Sequence, residues 1–283
     1  MQHPAPPPAD RTGWQGLAEW RDDVGRRWAA ASGTTRRQFG WLSDTTYPHC
    51  APLAGARVLD VGCGSGDTTV ELARRAGPTG SVTAVDVSEA VLHLARSSSP
   101  APDAAPIGWL CADAATHPWP DATFDVVFSR LGTMFFDEPA AAFSNLRRST
   151  RPGGRLAFTC WPDRDRCPVL LVPLRALAGV VQLPPSAPPG SPNPFSLGDP
   201  EATAALLRTA GWRDVAVREV RAELRLPDRL DDAVQQWLGS IPVTLVAPDP
   251  DPDTRRAMAA ALAAVVPADR VIVQRALLVT ARA

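Results

Sequence analysis

A glycine-rich segment is the first feature of the sequence that could do chemistry. Residues 58–66 read VLDVGCGSG, in which Asp60 ends an apolar run and Gly62, Gly64 and Gly66 follow at every second position. Glycine tolerates positive φ and lets the backbone approach a ligand closely. The spacing differs from the G-x-G-x-x-G dinucleotide fingerprint, and a carboxylate two residues before the first glycine would repel a pyrophosphate. The segment therefore favours a cationic cofactor without phosphate, the alternative being a tight strand-to-helix turn that binds nothing.

Two further aspartates follow at the ends of the next apolar runs. Asp86 closes SVTAVD and precedes Val87, whereas Asp113 closes IGWLCAD and precedes Ala114. The Asp86 carboxylate can accept two hydrogen bonds from a ribose diol, and Val87 beside it can pack on an adenine face. Asp113 is placed to accept from an exocyclic amine, with Ala114 leaving room for the ring. Each aspartate could instead cap the helix or turn that follows it.

The elements that must position these residues alternate between short apolar runs and helical segments from Arg57 onwards. This alternation predicts βαβ units and an α/β fold with a mostly parallel, doubly wound sheet. The predicted strands are ARVLDVG, SVTAVDV, IGWLCAD, FDVVFSR, RLAFTCW, WRDVAVREVRAEL and VIVQRALLVTAR. The predicted helices span residues 67–76, 88–97, 139–150, 201–210, 230–239 and 253–265, and a turn is predicted at Pro152-Gly153-Gly154.

Taken together, five motifs resemble the class I S-adenosylmethionine-dependent methyltransferases. The resemblance lies within the small-molecule group that includes ubiquinone and menaquinone C-methyltransferase-like proteins. The motifs are VLDVGCGSG, AVDVS, CADA, FDVVFSR and RPGGRLAF, which match in order and spacing over residues 57 to 160. The resemblance implies a Rossmann-like, seven-stranded sheet with only its last strand antiparallel, and S-adenosylmethionine lying across the carboxyl ends of the first strands.

The resemblance also implies roles for individual residues. Asp60 and the segment Gly62, Cys63, Gly64 and Gly66 would surround the methionine part of the donor. Asp86, with Val87 beside it, would bind the ribose, and Asp113 and Ala114 would meet the adenine. Ser129 and Arg130, at the end of the fourth strand, would face the donor's amino-acid end and its methyl group.

We divide the chain into five parts on this basis. They are a disordered Pro-rich tail (1–12), an N-terminal helical lid (13–50), the Rossmann-like core (51–161), a Pro-rich cap insertion (162–200), and a C-terminal completion of the sheet (201–283) with a helical cap near 228–268. Aromatic and apolar residues recur at helical spacing in the lid, at Trp14, Leu17, Trp20, Val24 and Trp28. This stripe favours core packing of an N-terminal helix, and the alternative is a lid whose aromatic rings close over a ligand.

Charge and motif chemistry argue against nucleic acid as substrate or partner. The 29 basic and 30 acidic residues give a formal charge of −1, which offers no electrostatic footprint for nucleic acid or an anionic membrane. Nucleic-acid amino-methyltransferases of this fold place N/D-P-P-Y/F after the fourth strand, where it holds a flipped base. Here Ser129-Arg130-Leu131-Gly132 stands there.

The sequence favours a cytoplasmic enzyme. Its N-terminus lacks a cationic start and an apolar run, and no stretch reaches the roughly 18 uninterrupted apolar residues of a membrane span. The five cysteines include no C-x-x-C pair and no zinc-ligand spacing, so we expect reduced thiols and no metal. A homodimer is compatible with the sequence, which does not require one.

The sequence indicates less about the methyl acceptor than about the methyl donor. A general base is needed only if the acceptor arrives protonated, and the candidates are His49 and His117, followed by Asp137 and Tyr47. Met134-Phe135-Phe136 and Phe195 suggest an uncharged, aromatic or polyketide-like small molecule, although core packing explains them as well. Two other functions stay open. One is a non-methylating enzyme in which the bound donor assists cyclisation, decarboxylation or rearrangement, and the other is a catalytically inactive binding module.

Overall fold

The computed structural model describes residues 20–98, 100–183 and 191–283. The predicted disordered tail therefore lies outside the described residues, as do Trp14 and Leu17 of the aromatic stripe and residues 184–190 of the predicted cap insertion.

The described strands form one seven-stranded sheet in the order β3-β2-β1-β4-β5-β7-β6. The strands are β1 (Arg57–Val61), β2 (Ser81–Asp86), β3 (Ile107–Cys111), β4 (Phe124–Arg130), β5 (Thr150–Cys160), β6 (Arg213–Arg225) and β7 (Val271–Arg282). Pairs among β1 to β5 are parallel, whereas β7 is antiparallel to both β5 and β6. The predicted Rossmann-like sheet, with its last strand antiparallel, is confirmed.

Helices cover both faces of the sheet. They are α1 (Asp23–Ala30), α2 (Ser32–Cys50), α3 (Asp67–Ala76), α4 (Glu89–Arg96), α5 (Pro139–Ser149), α6 (Pro168–Leu177), α7 (Pro200–Thr209), α8 (Leu230–Leu238), α9 (Ile241–Val246) and α10 (Pro252–Ala263). Successive strand residues belong to different apolar clusters: Leu59 and Val127 to one, Val58 and Val126 to the other. Because alternate side chains of a strand point to opposite faces, both faces of the central strands are buried.

The sequence accounts for the strand-to-helix unit that carries the glycine-rich segment. The apolar run Val58 to Val61 is buried, as expected of a strand in the middle of a parallel sheet. Helix α3 begins at Asp67, where a carboxylate in the first turn favours the helix dipole. It ends before Gly77, which adopts a φ of 65° that most residues avoid. The predicted helix over 67–76 is thus confirmed.

Three features of the fold differ from the predictions, and the first is helix α6 (Pro168–Leu177), which lies in the predicted cap insertion where no helix is predicted. The predicted turn Pro152-Gly153-Gly154 is part of β5, because Gly153 N donates to Ala283 O at 3.1 Å and Ala283 N donates to Gly154 O at 3.0 Å. Pairing with the last residue of the chain therefore extends the strand. Helix α9 was not predicted between the two helical segments that were. It packs with α6, α8 and α10 in an apolar cluster that includes Trp237 and Val243.

Candidate active site

A cleft opens at the carboxyl ends of β1, β2 and β4. It lies at the switch point where the strand order reverses around β1 and β4, which is the place where ligands bind in open α/β sheets. Most of the residues predicted to bind the cofactor line it, namely Gly62, Cys63, Gly64, Asp86, Val87, Asp113, Ala114 and Arg130.

The glycines of the loop after β1 adopt positive φ angles, and a close backbone approach also requires a glycine at Gly62. Gly62 has a φ of 67°, and a Cβ there would lie 2.8 Å from the Cα of Gly132 in the loop after β4. Gly64 has a φ of 56°, and a Cβ there would lie 3.4 Å from the indole nitrogen of Trp28 on α1. A side chain at Gly62 would force the two loops apart, so this glycine keeps the floor of the cleft together.

Asp86 lies at the end of β2 and faces the cleft with a half-buried carboxylate. Its Oδ2 accepts from Gly64 N at 2.9 Å, and its Oδ1 accepts from Ser88 N at 3.0 Å. Burial raises the pKa of Asp86, and these backbone N–H donors oppose that rise. A carboxylate offers about four lone-pair positions, so both oxygens retain capacity to accept from a ligand.

Asp113 caps a turn and also lines the cleft. Its Oδ1 accepts from Ala115 N at 2.8 Å, and its Oδ2 accepts from the Thr116 hydroxyl at 3.3 Å. Ala114 beside it is buried, and its carbonyl accepts from the indole N–H of Trp119 at 3.0 Å. The structural and the ligand-facing interpretations of Asp113 are therefore compatible.

Three residues predicted to contact the cofactor lie beneath the cleft and do not line it. Asp60 is fully buried, and its Oδ2 accepts from the hydroxyls of Thr68 at 2.9 Å and Thr69 at 2.6 Å. Its Oδ1 has no hydrogen-bond partner within the described residues. Burial raises the pKa of Asp60 to about 6, against the two hydroxyl donors. The carboxylate thus fixes the start of α3 from below.

Ser129 and Gly66 also support the cleft from behind. The buried Ser129 hydroxyl donates to Val61 O at 2.7 Å and accepts from Gly132 N at 3.2 Å, which joins the loops after β1 and β4. At Gly66, a Cβ would lie 2.7 Å from the Trp109 ring. Neither residue lines the cleft, so their predicted donor contacts do not follow from its geometry.

Arg130 carries the only guanidinium among the described residues that line the cleft. Its two terminal nitrogens donate to Asp67 Oδ2 at 2.8 Å and Oδ1 at 2.9 Å, and one of them also donates to the Ser43 hydroxyl at 3.1 Å. The two side chains of the ion pair are only 10% and 11% exposed. This bidentate pair ties the end of β4 to the first residue of α3.

Aromatic residues also line the cleft. From the sequence alone, they could have packed in the core or formed part of a lid. Trp20 and Trp28 line the cleft from the N-terminal part, together with Phe135 from the short helix after β4 (Thr133–Phe135). The Trp20 ring contacts the rings of Trp28 and Phe135 edge to face, with centroid distances of 5.3 Å and 4.9 Å. The helical spacing of the stripe was the signal in the sequence.

A second, apolar cavity adjoins the cleft. Four residues belong to both linings, namely Trp20, Trp28, Leu131 and Phe135. The other described residues of this apolar cavity are Phe39, Met134, Trp161, Leu170, Pro194, Ile241 and Pro242. None of the lining residues in the described part of the chain is charged or a histidine.

The candidate bases lie away from both spaces. His49 is in the last turn of α2, where burial and the charge of Arg218 lower its pKa, and His117 packs its ring on Trp119 with a centroid distance of 4.2 Å. Asp137 is exposed, and Tyr47 is buried against Phe128 with its pKa raised by burial. None of these four side chains lines the cleft or the apolar cavity.

The described residues contain no group of three His, Cys, Asp or Glu side chains arranged to hold a metal ion. Within the same ranges, no helix has the length and apolar character needed to cross a membrane.

The sequence is similar to those of known methyltransferases. Residues 59–158 match the family model described as a methyltransferase domain. Nocamycin O-methyltransferase of Saccharothrix syringae is 30% identical over 221 residues, which cover 75% of this chain and 78% of that protein. The ubiquinone/menaquinone biosynthesis C-methyltransferase UbiE of Burkholderia orbicola is 39% identical over 102 residues, which cover 36% of this chain and 42% of that protein.

A solved structure shows the same fold. The phosphoethanolamine N-methyltransferase 2 of Haemonchus contortus, in complex with S-adenosylhomocysteine, superimposes with a TM-score of 0.58 at 15% identity. The match covers 93% of this chain and 59% of that one.

Proposed function

Since the chain belongs to the S-adenosylmethionine-dependent methyltransferases, we propose that it methylates an O, N or C atom of a small organic acceptor, aromatic or polyketide-like in character. One observation carries the proposal. The cleft, which carries the carboxylates of Asp86 and Asp113, adjoins a cavity without charged side chains in its described lining, and four residues belong to both. Transfer between a charged donor and an apolar acceptor requires two such spaces side by side.

The residues of the cleft fit S-adenosylmethionine. Two carboxylates, Asp86 and Asp113, face the space, and the guanidinium of Arg130 is already paired with Asp67. This balance favours a ligand with net positive charge and offers no free cation for a phosphate. The backbone of Gly62 and Gly64 leaves room for close approach.

Each part of the donor has its residues in this proposal. Asp86 accepts the ribose hydroxyls, and Val87, Asp113 and Ala114 meet the adenine. The glycine-rich segment surrounds the amino-acid end, which Arg130 faces while it stays paired with Asp67. When bound, S-adenosylmethionine supplies a methyl group on a positively charged sulfur. The protein's own part is to align the two molecules and exclude water, which can account for about 7–11 kcal/mol of the barrier.

The apolar cavity points to an acceptor without a strong charge. The described lining of this cavity contains no acid or base, so the acceptor must bind with its nucleophilic atom already free of its proton. For an oxygen acceptor this means an acidic phenol or enol that ionises near neutral pH, because the new C–O bond forms from an oxygen lone pair after the proton has left. The similarity to nocamycin O-methyltransferase supports an oxygen acceptor and a role in secondary metabolism.

A reducing, cytoplasmic location belongs to the same proposal. None of the five cysteines is in a disulfide, and Cys50, Cys63, Cys160 and Cys167 are buried as free thiols. The proposed reaction takes place within one copy of the chain, so no step of it depends on a homodimer.

The proposal is tested by donor binding and by transfer. Calorimetry should show micromolar binding of S-adenosylhomocysteine, and Asp86→Ala should weaken it roughly 10- to 150-fold, since a charged hydrogen-bond acceptor is lost. Asp121→Ala, at a side chain that is 74% exposed, is the matched control and should bind like the wild type.

Transfer is followed with donor labelled in the methyl group and a panel of phenols, enols and quinones. Label in the acceptor supports the proposal. Turnover of an acceptor with the donor left intact would instead indicate an enzyme that uses the donor without methylating. Wild-type protein that binds neither donor nor product would refute the donor site altogether.

A further inference from the structure

The four residues shared by the cleft and the apolar cavity mark a specific place in the reaction. We propose that Trp20, Trp28 and Phe135 form an aromatic collar, defined as these three rings, that contacts the sulfonium of S-adenosylmethionine and makes the protein prefer it over S-adenosylhomocysteine. The inference rests on the proposed function, because it takes the cleft as the donor site and the apolar cavity as the acceptor site.

The location follows from the two linings. A methyl group that passes from donor to acceptor must cross from one space to the other. Those spaces meet at Trp20, Trp28, Leu131 and Phe135, which are common to both linings. The sulfur that carries the methyl group therefore lies beside these side chains, whereas Asp86 belongs to the cleft alone.

The chemistry of the collar suits a cation. Trp20 meets Trp28 at an interplanar angle of 63° and Phe135 at 60°. In an edge-to-face pair, the ring that contributes its edge keeps its faces free for other contacts. The face of an aromatic ring attracts a cation electrostatically, and tryptophan does so most strongly. No carboxylate lines the apolar cavity within the described residues, so the rings are the groups there that can favour a positive charge.

The collar is held in place by its surroundings. Gly25 of α1 packs so closely on the start of α4 that a Cβ would lie 2.0 Å from the Ser88 hydroxyl, which fixes the helix that carries Trp28. On the other side, Leu131 adopts a φ of 64°, and its N–H donates to Thr159 O at 3.0 Å. Backbone strain of this kind concentrates at functional sites and persists only where the surroundings hold it.

The consequence is a difference between substrate and product. S-adenosylmethionine carries a positive sulfur, and S-adenosylhomocysteine carries a neutral one. Apart from the methyl group on that sulfur, the two molecules are the same, so contacts with ribose and adenine affect both equally. An attraction between the collar and the sulfonium strengthens binding of the substrate only and disappears once the methyl group has left.

The deciding experiment compares the affinities of both ligands by calorimetry. Trp20→Leu should weaken S-adenosylmethionine about 5- to 30-fold and change S-adenosylhomocysteine by less than about twofold. Trp20→Phe keeps a ring and should restore most of the preference. Trp41→Leu is the matched control, because Trp41 is, like Trp20, a partly buried tryptophan but lines neither space, and it should leave both affinities unchanged.

Trp20 is partly exposed, so its replacement disturbs folding less than that of the buried Phe135. A ratio of the two affinities that stays at the wild-type value in Trp20→Leu overturns the collar, whether both ligands weaken or neither does. Failure of the wild type to bind either ligand would refute the proposed function. This outcome differs from an unchanged affinity ratio in Trp20→Leu, which refutes the collar alone.

Discussion

The buried carboxyl of Asp60 makes the stability of the protein depend on pH, and replacing it with asparagine should remove that dependence. Burial raises the pKa of Asp60 from 3.8 to about 6, with hydrogen bonds from Thr69 and Thr68 acting in the opposite direction. Because the folded state holds the proton more tightly than the unfolded state, this group's contribution is fully present below about pH 4. It is lost as the pH rises through about 6, by about 3 kcal/mol in total.

The assay is urea unfolding of wild type and Asp60→Asn at a series of pH values between about 4 and 7.5. The free energy of unfolding of the variant relative to wild type should rise by about 3 kcal/mol across this range. The asparagine amide leaves a buried N–H₂ where Oδ1 has no partner, which costs a constant amount. The slope against pH, and not the offset, therefore carries the prediction.

Asp121→Asn provides the control, because that side chain is 74% exposed and its ion pair with Arg148 is at the surface. The difference between Asp60→Asn and wild type should change with pH by more than the difference between Asp121→Asn and wild type. A flat difference for Asp60→Asn would mean that Asp60 is ionised in the folded protein as easily as in the unfolded chain. The account of a carboxylate buried beneath the glycine-rich segment would then be wrong.

Two further predictions concern the framework of the cleft. Gly62→Ala should lower the free energy of unfolding by about 2 kcal/mol or more, and by more than Gly77→Ala does. Both positions have a positive φ, but only the Cβ at Gly62 would meet backbone, at Gly132. Equal losses in urea unfolding would contradict the close approach of the two loops. Arg130→Met should cost about 3–5 kcal/mol by leaving Asp67 buried without its partner, and the double variant Asp67→Leu/Arg130→Met should recover much of that loss in thermal and urea unfolding. A double variant no more stable than the single one would argue against the ion pair as the cause.

The sequence predicts the central part of this fold closely because its elements are bounded by sharp local signals. FDVVFSR corresponds to β4 residue for residue, and the helix over 67–76 is α3. Apolar runs set these strands, and Gly77 ends the helix. The strand β5 is longer than predicted because Gly153 and Gly154 pair with Ala283, which lies far away along the chain. Local signals carry no information about such a partner.

The site, too, could be predicted from the sequence only in part. Residues at the carboxyl ends of parallel strands meet at one edge of the sheet, so the positions of Asp86, Asp113 and Arg130 around the cleft could be expected. The direction of a side chain could not, and Asp60 points beneath the loop. The role of Trp20 and Trp28 was open because helical spacing is the same for a ring that packs in a core and for one that covers a ligand.

Carboxylates line the cleft but not the apolar cavity, and this distribution affects the rate of methyl transfer as well as donor binding. The positive charge of the donor sulfur is dispersed as the methyl group leaves, so a group that stabilises the full cation too strongly would raise the barrier. A carboxylate in contact with the sulfur would act in this way. Asp86 and Asp113 line the cleft but not the apolar cavity, and aromatic rings stand where the two spaces meet. Rings attract a cation more weakly than a carboxylate does in a space without water, so they can orient the donor while leaving most of its reactivity intact.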